Sequence, residues 1–320
     1  MEETVASDMM RYPRFEGIRT FMRLPYEPAP VACDAVILGA PFDTAASFRS
    51  GARFGPEAIR RISSLLRPAN VHHRVRPLDW LRVVDGGDAM VIPGNTSRSH
   101  DLIEAAVSGW VSQGAVPITL GGDHSIALAE LRALAKHHGP LSLIHFDAHG
   151  DTWDEYWGER YTHGTPFRRA VEEGLLDPAR STQIGIRGTV YDPDDIEEGR
   201  RLGFAVWTID EVRQRGLDGV MTAARERAGR AKVFVSFDID CLDPAYAPGT
   251  GTPEIGGFTT HEALALVHGL KGLHLVGFDV VEVLPALDVA EITALAAATM
   301  VFEFLSLLAA AKRDAAGQPG

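Results

Sequence analysis

Along the chain, short runs of β-branched and aromatic residues alternate with stretches whose apolar positions recur at helical spacing. Runs 34–38, 116–120, 141–146, 182–186, 205–209, 233–237 and 273–278 are apolar nearly throughout, the pattern of strands buried on both faces. Between them, 126–138, 166–173, 220–228 and 261–270 read as helices, several opened by a Ser, Thr or Pro suited to a helix start. Alternation of this kind predicts an α/β fold of three layers: a doubly wound, mostly parallel sheet with helices on both faces. The Ala-rich stretch 292–311, interrupted by Glu303, reads as a buried core helix and not a membrane span. Residues 1–30 read as an irregular N-terminal arm, 31–311 as a single domain and 312–320 as a frayed tail.

Composition narrows the partners. With 320 residues and 45% apolar content the chain can fill one large core. A formal charge of -12 speaks against nucleic acid, whose affinity rests on Lys and Arg neutralising phosphates, and leaves a small cationic ligand as the better fit. Cys33 and Cys241 are too few for a disulfide framework. The opening MEETVASDMM lacks the basic start and apolar run of a signal peptide, so the expected home is the cytoplasm, with no membrane role.

The polar clusters fall where strands end: GGDHS (121–125), DAHGD (147–151), DID (238–240) and VEV (281–283). In open parallel sheets ligands bind beyond the carboxyl ends of the strands, so these loops should converge on one crevice. Residues two apart in extended chain share a side, which aligns Asp147, His149 and Asp151, and likewise Asp238 and Asp240. Carboxylates so crowded would repel and partly protonate without strong positive charge nearby, and two divalent cations supply it. Mixed imidazole and carboxylate donors suit Mn, Fe, Co, Ni or Zn, with His124, Asp147, His149, Asp151, Asp238 and Asp240 as the ligands. Such a pair, roughly 3.5–4 Å apart, lowers the pKa of water and presents hydroxide to an electrophile. The chemistry read here is hydrolytic.

GGDHS (121–125), FDAHGDT (146–152), HGTPFRRAVEEGLLD (163–177), QIGIRG (183–188), SFDIDCLDPAYAPGTGTPE (236–254) and GFDVVEV (277–283) closely resemble the ureohydrolases, the arginase and agmatinase family, with the agmatinase branch nearest. The resemblance implies an arginase-like fold and a binuclear site, manganese first and nickel as the alternative, that splits a guanidino compound into urea and an amine. It groups His124, Asp147, Asp151 and Asp240 about one metal and Asp147, His149, Asp238 and Asp240 about the other. Glu282 matches the family's carboxylate that grips the guanidinium, a planar fork of donors that a carboxylate meets bidentately. His163 matches its proton-shuttle histidine, and Asp151 is the nearest acid for the leaving nitrogen. A homo-oligomer, trimer or hexamer, is implied as well, with a hetero-oligomer containing a related chain as the alternative.

The family pattern is broken in two places. Trp153 and Trp157 stand beside the aspartate-rich loop, where they could hold a cationic nitrogen or fill the space of a long substrate tail. Past Glu282, Leu284, Leu287 and Glu291 remove hydroxyls and add a charge at the expected rim. The expected activity stays agmatinase-like, and these changes add as the alternative a compact or N-alkylated guanidine, a biguanide, or a guanidino acid such as 4-guanidinobutyrate. A single-metal deacetylase-like hydrolase and a non-catalytic partner subunit are the rival readings. Among other groups, His145 reads as a core histidine, Cys241 as a small buried residue and residues 85–88 as a turn, while His72, His73 and His268 receive no role.

Overall fold

The computed structural model describes residues 13–317. Eight strands, β1 (Ala35–Ala40), β2 (Val83–Asp88), β3 (Val116–Gly121), β4 (Ser142–Phe146), β5 (Thr182–Ile186), β6 (Ala205–Thr208), β7 (Lys232–Asp238) and β8 (His274–Val281), form one sheet. Their order is β2-β1-β3-β8-β7-β4-β5-β6, and every pairing is parallel. Alternate residues of a strand enter opposite cores: Ala35 and Ile37 of β1 pack on one face, Val36 and Leu38 on the other. Both faces are therefore apolar and both are covered, as a parallel sheet requires.

Strand β2 corrects the expected turn at 85–88. The apolar pattern stops at Val84 because an ion pair takes the place of a core side chain: Arg60 reaches Asp85 through Nε at 3.0 Å and Nη2 at 3.1 Å, and Asp88 through Nη1 at 2.6 Å. Asp85 also accepts the Phe21 amide at 2.7 Å, which moors the N-terminal arm. Phe21, Met22 and Leu24 are buried in the core, so the end of the arm belongs to the packed body.

Helices Ile126–His138, Pro166–Glu172 and Leu217–Ala228 lie where the apolar spacing puts them. Thr260–His268 opens on a capping box, in which Thr259 and Glu262 satisfy each other's backbone N–H. The last helix, Ile292–Ala315, runs past the expected boundary at 311. Its final turn is held because Arg313 is buried and donates to the His73 carbonyl at 2.9 Å, so residues 312–315 are helix and not tail. This helix has the length and hydropathy to cross a bilayer, yet 78% of its most apolar window is buried inside the fold.

Candidate metal centre and substrate cavity

Strands β3, β8, β7 and β4 are the four central neighbours of the sheet, and the loops leaving them carry the polar clusters. Leu120 pairs with Val280, Asp238 with Val281 and Phe146 with Phe237, so the strand ends are level and their loops meet. His124 Nδ1 lies 2.9 Å from Asp151 Oδ2 and 3.2 Å from both Asp147 Oδ2 and Asp238 Oδ2. His149 Nδ1 lies 3.1 Å from Asp240 Oδ2 and 3.4 Å from Asp147 Oδ1. All six expected ligands are thus brought together, but their grouping differs from the expected one. Asp238 and not Asp240 joins His124, because β7 ends at Asp238 and Asp240 sits in a 3-10 turn, where residues two apart no longer share a side. Asp147 faces both histidines.

Hydrogen bonds behind the ligands set their protons. His124 Nε2 is 2.7 Å from Ser236 Oγ, which donates to Asp279 at 2.8 Å. That chain places the ring proton on Nε2 and turns the Nδ1 lone pair toward three carboxylates. His145, buried as expected, also orients a ligand: its Nδ1 accepts from Gln183 Nε2 at 3.0 Å, leaving Nε2–H to donate to Asp147 Oδ2 at 2.7 Å. His124 Nδ1 and Asp240 Oδ2 are buried with no hydrogen-bond partner among the described residues. Burial, together with the charges of Asp240 and Asp147, raises the Asp238 pKa well above the carboxylate range. Orphaned donor atoms and carboxylates that cannot all ionise fit a centre of divalent positive charge.

Glu282 follows β8 with a left-handed φ of 61°, and Asp151 has φ 51°. Backbone strain of this kind persists where surroundings over-determine it, as they do here. Glu282 Oε1 accepts from the His124 amide and from His163 Nδ1, each at 2.9 Å, while the Ser47 amide donates to His163 Nε2 at 3.0 Å. Burial disfavours the charged ring, but the Glu282 carboxylate outweighs it and raises the His163 pKa to about 9. The Ser47 amide favours the opposite form, with Nε2 bare, while the Ser47 hydroxyl, 2.7 Å from the same nitrogen, can donate to it or accept from it. The ring is therefore poised between two partners that prefer different protonation states, which suits a group that passes protons. Asp123, beneath it, is pushed up to about 7 by burial and by Glu282.

A cavity of about 440 Å³ opens above the ligands, walled by Trp153, Tyr156 and Tyr191, with Ser47, Phe48, Arg49 and Glu254 also on its lining. Trp153 stands edge-on to Tyr156, ring centroids 5.3 Å apart. Trp157 is not in this cavity. The chain reverses through a tight turn in which Tyr156 and Glu159 exchange backbone hydrogen bonds of 3.0 and 2.8 Å; Trp157 and Gly158 form its apex, both at positive φ, and the Trp157 ring is 78% exposed. Leu284, Leu287 and Glu291 are likewise off the lining: Leu284 is buried under Gly51 and Gly251, and Glu291 pairs with Arg61 at 2.9 Å. The expected charge at the rim is thus already neutralised elsewhere.

Tyr156, Ser47, Ser236, Gln183, Asp279 and Arg187 escaped sequence reasoning, since none follows a spacing rule. Arg187 is buried and donates to the carbonyls of Gly185, Asp240, Cys241, Leu242, Glu254 and Ile255 at 2.7–3.3 Å, framing the loop between metal floor and rim. Cys241 is fully buried in the core.

A family model described as the arginase family matches residues 33–306. A guanidinopropionase of Pseudomonas aeruginosa is 51% identical over 94% of this chain and 95% of its own length. A mitochondrial agmatinase of Gallus gallus is 47% identical over 92% of this chain and 87% of its own. The solved proclavaminate amidinohydrolase of Streptomyces clavuligerus superposes with a TM-score of 0.90 at 44% identity, covering 94% of this chain and all of that one.

Proposed function

The chain belongs to the arginase family and is a hydrolase of guanidino C–N bonds, and from that premise we propose that it converts a short ω-guanidino acid into urea and the ω-amino acid. The observation that carries this reading is the cavity: an aromatic wall of Trp153, Tyr156 and Tyr191 limits the length of the substrate tail, and Arg49 stands at the lining with no carboxylate partner among the described residues. Its guanidinium lies over the Phe48 ring, 5.0 Å from the centroid, with its N–H donors left for a substrate carboxylate.

His124, Asp147, Asp151 and Asp238 would hold one divalent cation and His149, Asp147 and Asp240 would serve a second, manganese first and nickel as the alternative. When bound, such a pair supplies a hydroxide nucleophile at neutral pH. The chain's own residues do the rest. Glu282, ionised, fixes the guanidinium; Asp151 accepts the proton of the added hydroxyl and passes it to the departing nitrogen, and His163, oriented by Glu282, exchanges protons with solvent through Nε2 beside the Ser47 hydroxyl.

Urea release from 3-guanidinopropionate, 4-guanidinobutyrate, agmatine, guanidine and biguanide tests the reading on manganese- and nickel-loaded protein. The acids should be preferred over agmatine, and Arg49→Ala should cost at least about tenfold in kcat/KM on the acids, roughly 1.4 kcal/mol, while sparing guanidine. Glu254, on the same lining with no cationic partner among the described residues, favours a second reading in which an amine terminus binds. Preference for agmatine, lost in Glu254→Gln and kept in Arg49→Ala, would establish that reading instead.

A further inference from the structure

We propose that the chain carries a further metal site, separate from the catalytic crevice, in which His72, His73, His268 and Glu303 bind a zinc-like divalent ion. His72 and His73 lie in a four-residue turn closed by the Asn70–Val75 bridge, His268 ends the Thr260–His268 helix, and Glu303 stands in the last helix. Three parts of the chain therefore converge. One ring nitrogen from each histidine falls within 4.8 Å of the others. Glu303 Oε2 lies 3.2 Å from His268 Nε2 and 3.6 Å from His73 Nε2.

The buried half of this cluster is already built. The His73 side chain is 1% exposed, and its Nε2 has no hydrogen-bond partner among the described residues. At 3.6 Å the Glu303 oxygen is too far for a hydrogen bond, so a buried ring nitrogen is aimed into the cluster unsatisfied. The His73 backbone is fixed at both ends: its N–H donates to Asn70 Oδ1 at 2.9 Å, and its carbonyl accepts from Arg313 at 2.9 Å. Asn70 also donates to Glu303 Oε2 at 2.8 Å, tying the turn to the carboxylate. Lys271 is drawn to Asp314 at 3.5 Å.

The exposed half must move to bind. His72 and His268 are stacked, centroids 3.6 Å apart and planes 9° from parallel, which sends their lone pairs side by side instead of to one point. Imidazole nitrogens about 2.0–2.1 Å from a tetrahedral ion are roughly 3.3 Å from each other. His72, being exposed, can turn about its side-chain torsions to close that gap. Three imidazoles and one carboxylate select zinc, nickel, cobalt or copper over manganese, whereas the carboxylate-rich catalytic crevice accepts manganese. An ion here would clamp the 70–75 turn to two helices.

Untagged protein loaded with manganese is dialysed against excess Zn²⁺ and its total metal counted, with Co²⁺ absorption as a second readout. Wild type should bind three ions per chain and His72→Ala/His268→Ala two, with urea release unchanged in the variant. Zn²⁺ should raise the Tm of wild type beyond that of the variant, and the tetrahedral Co²⁺ d–d absorption per chain should be greater in wild type than in the variant. A wild-type total that stops at two, or a variant that still binds three, overturns the proposal. Asp147→Asn in the catalytic crevice should leave the Zn²⁺ ion at this site in place, which separates failure here from failure there.

Discussion

Glu282 Oε1 receives two hydrogen bonds of 2.9 Å, one from the ring of His163 and one from the backbone N–H of His124. One carboxylate therefore ties the histidine proposed to pass protons to the loop that bears an expected metal ligand. Glu282→Gln keeps the shape but loses the charge that a guanidinium needs. The variant should lose at least about 100-fold in kcat/KM, ~2.7 kcal/mol, with its manganese content unchanged. A loss smaller than tenfold would remove Glu282 from substrate binding.

The grouping of the aspartates gives a separate expectation. Because Asp240 approaches only His149 while Asp147 approaches both histidines, Asp240→Asn should retain one catalytic manganese per chain and Asp147→Asn neither. Metal counting after dialysis against manganese alone decides it. Equal losses in the two variants would contradict the grouping.

Gly164 holds the aromatic wall in place. A Cβ there would come 2.6 Å from Tyr156 Cε2 and 3.0 Å from Trp153 Cε3, and both rings would have to shift. Gly164→Ala should change the ratio of kcat/KM between 3-guanidinopropionate and 4-guanidinobutyrate by about tenfold, ~1.4 kcal/mol. Parallel changes on both substrates and on guanidine would mean that the wall does not select by length.

His100 makes stability depend on pH. It is buried beside Ser125, and burial lowers its pKa from 6.5 to about 4. Between these values the unfolded chain binds a proton that the folded chain does not, so the contribution is complete above pH 6.5 and is lost as pH falls toward 4. The loss is on the order of 3 kcal/mol. Urea-unfolding curves at pH 7 and 4.5 should show a smaller drop for His100→Gln than for wild type, and identical drops would sink the assignment.

The strand-end clusters were legible because they depend on neighbours in sequence: a strand must stop, and the residues just past its end face the crevice. All six expected ligands met for that reason. Spacing could not carry the local turn of the chain. Asp238 and Asp240 straddle the end of β7, and Trp153 and Trp157 straddle a hairpin turn, so spacing makes each pair equivalent where the fold sets its members apart. Strand β2 was hidden by the Arg60–Asp85 pair, which put charge where the pattern asks for an apolar side chain. The groups that set the protons, Ser236, Gln183 and Asp279, come from other strands, and only the assembled sheet brings them to His124 and His145.

Arg187 grips its loop wholly through carbonyl oxygens, a set of partners that every residue type provides. Side chains that only line the rim, such as Thr252 and Glu254, can therefore be exchanged while the backbone keeps its path. The rim can in this way be reshaped while the floor beneath it keeps its geometry.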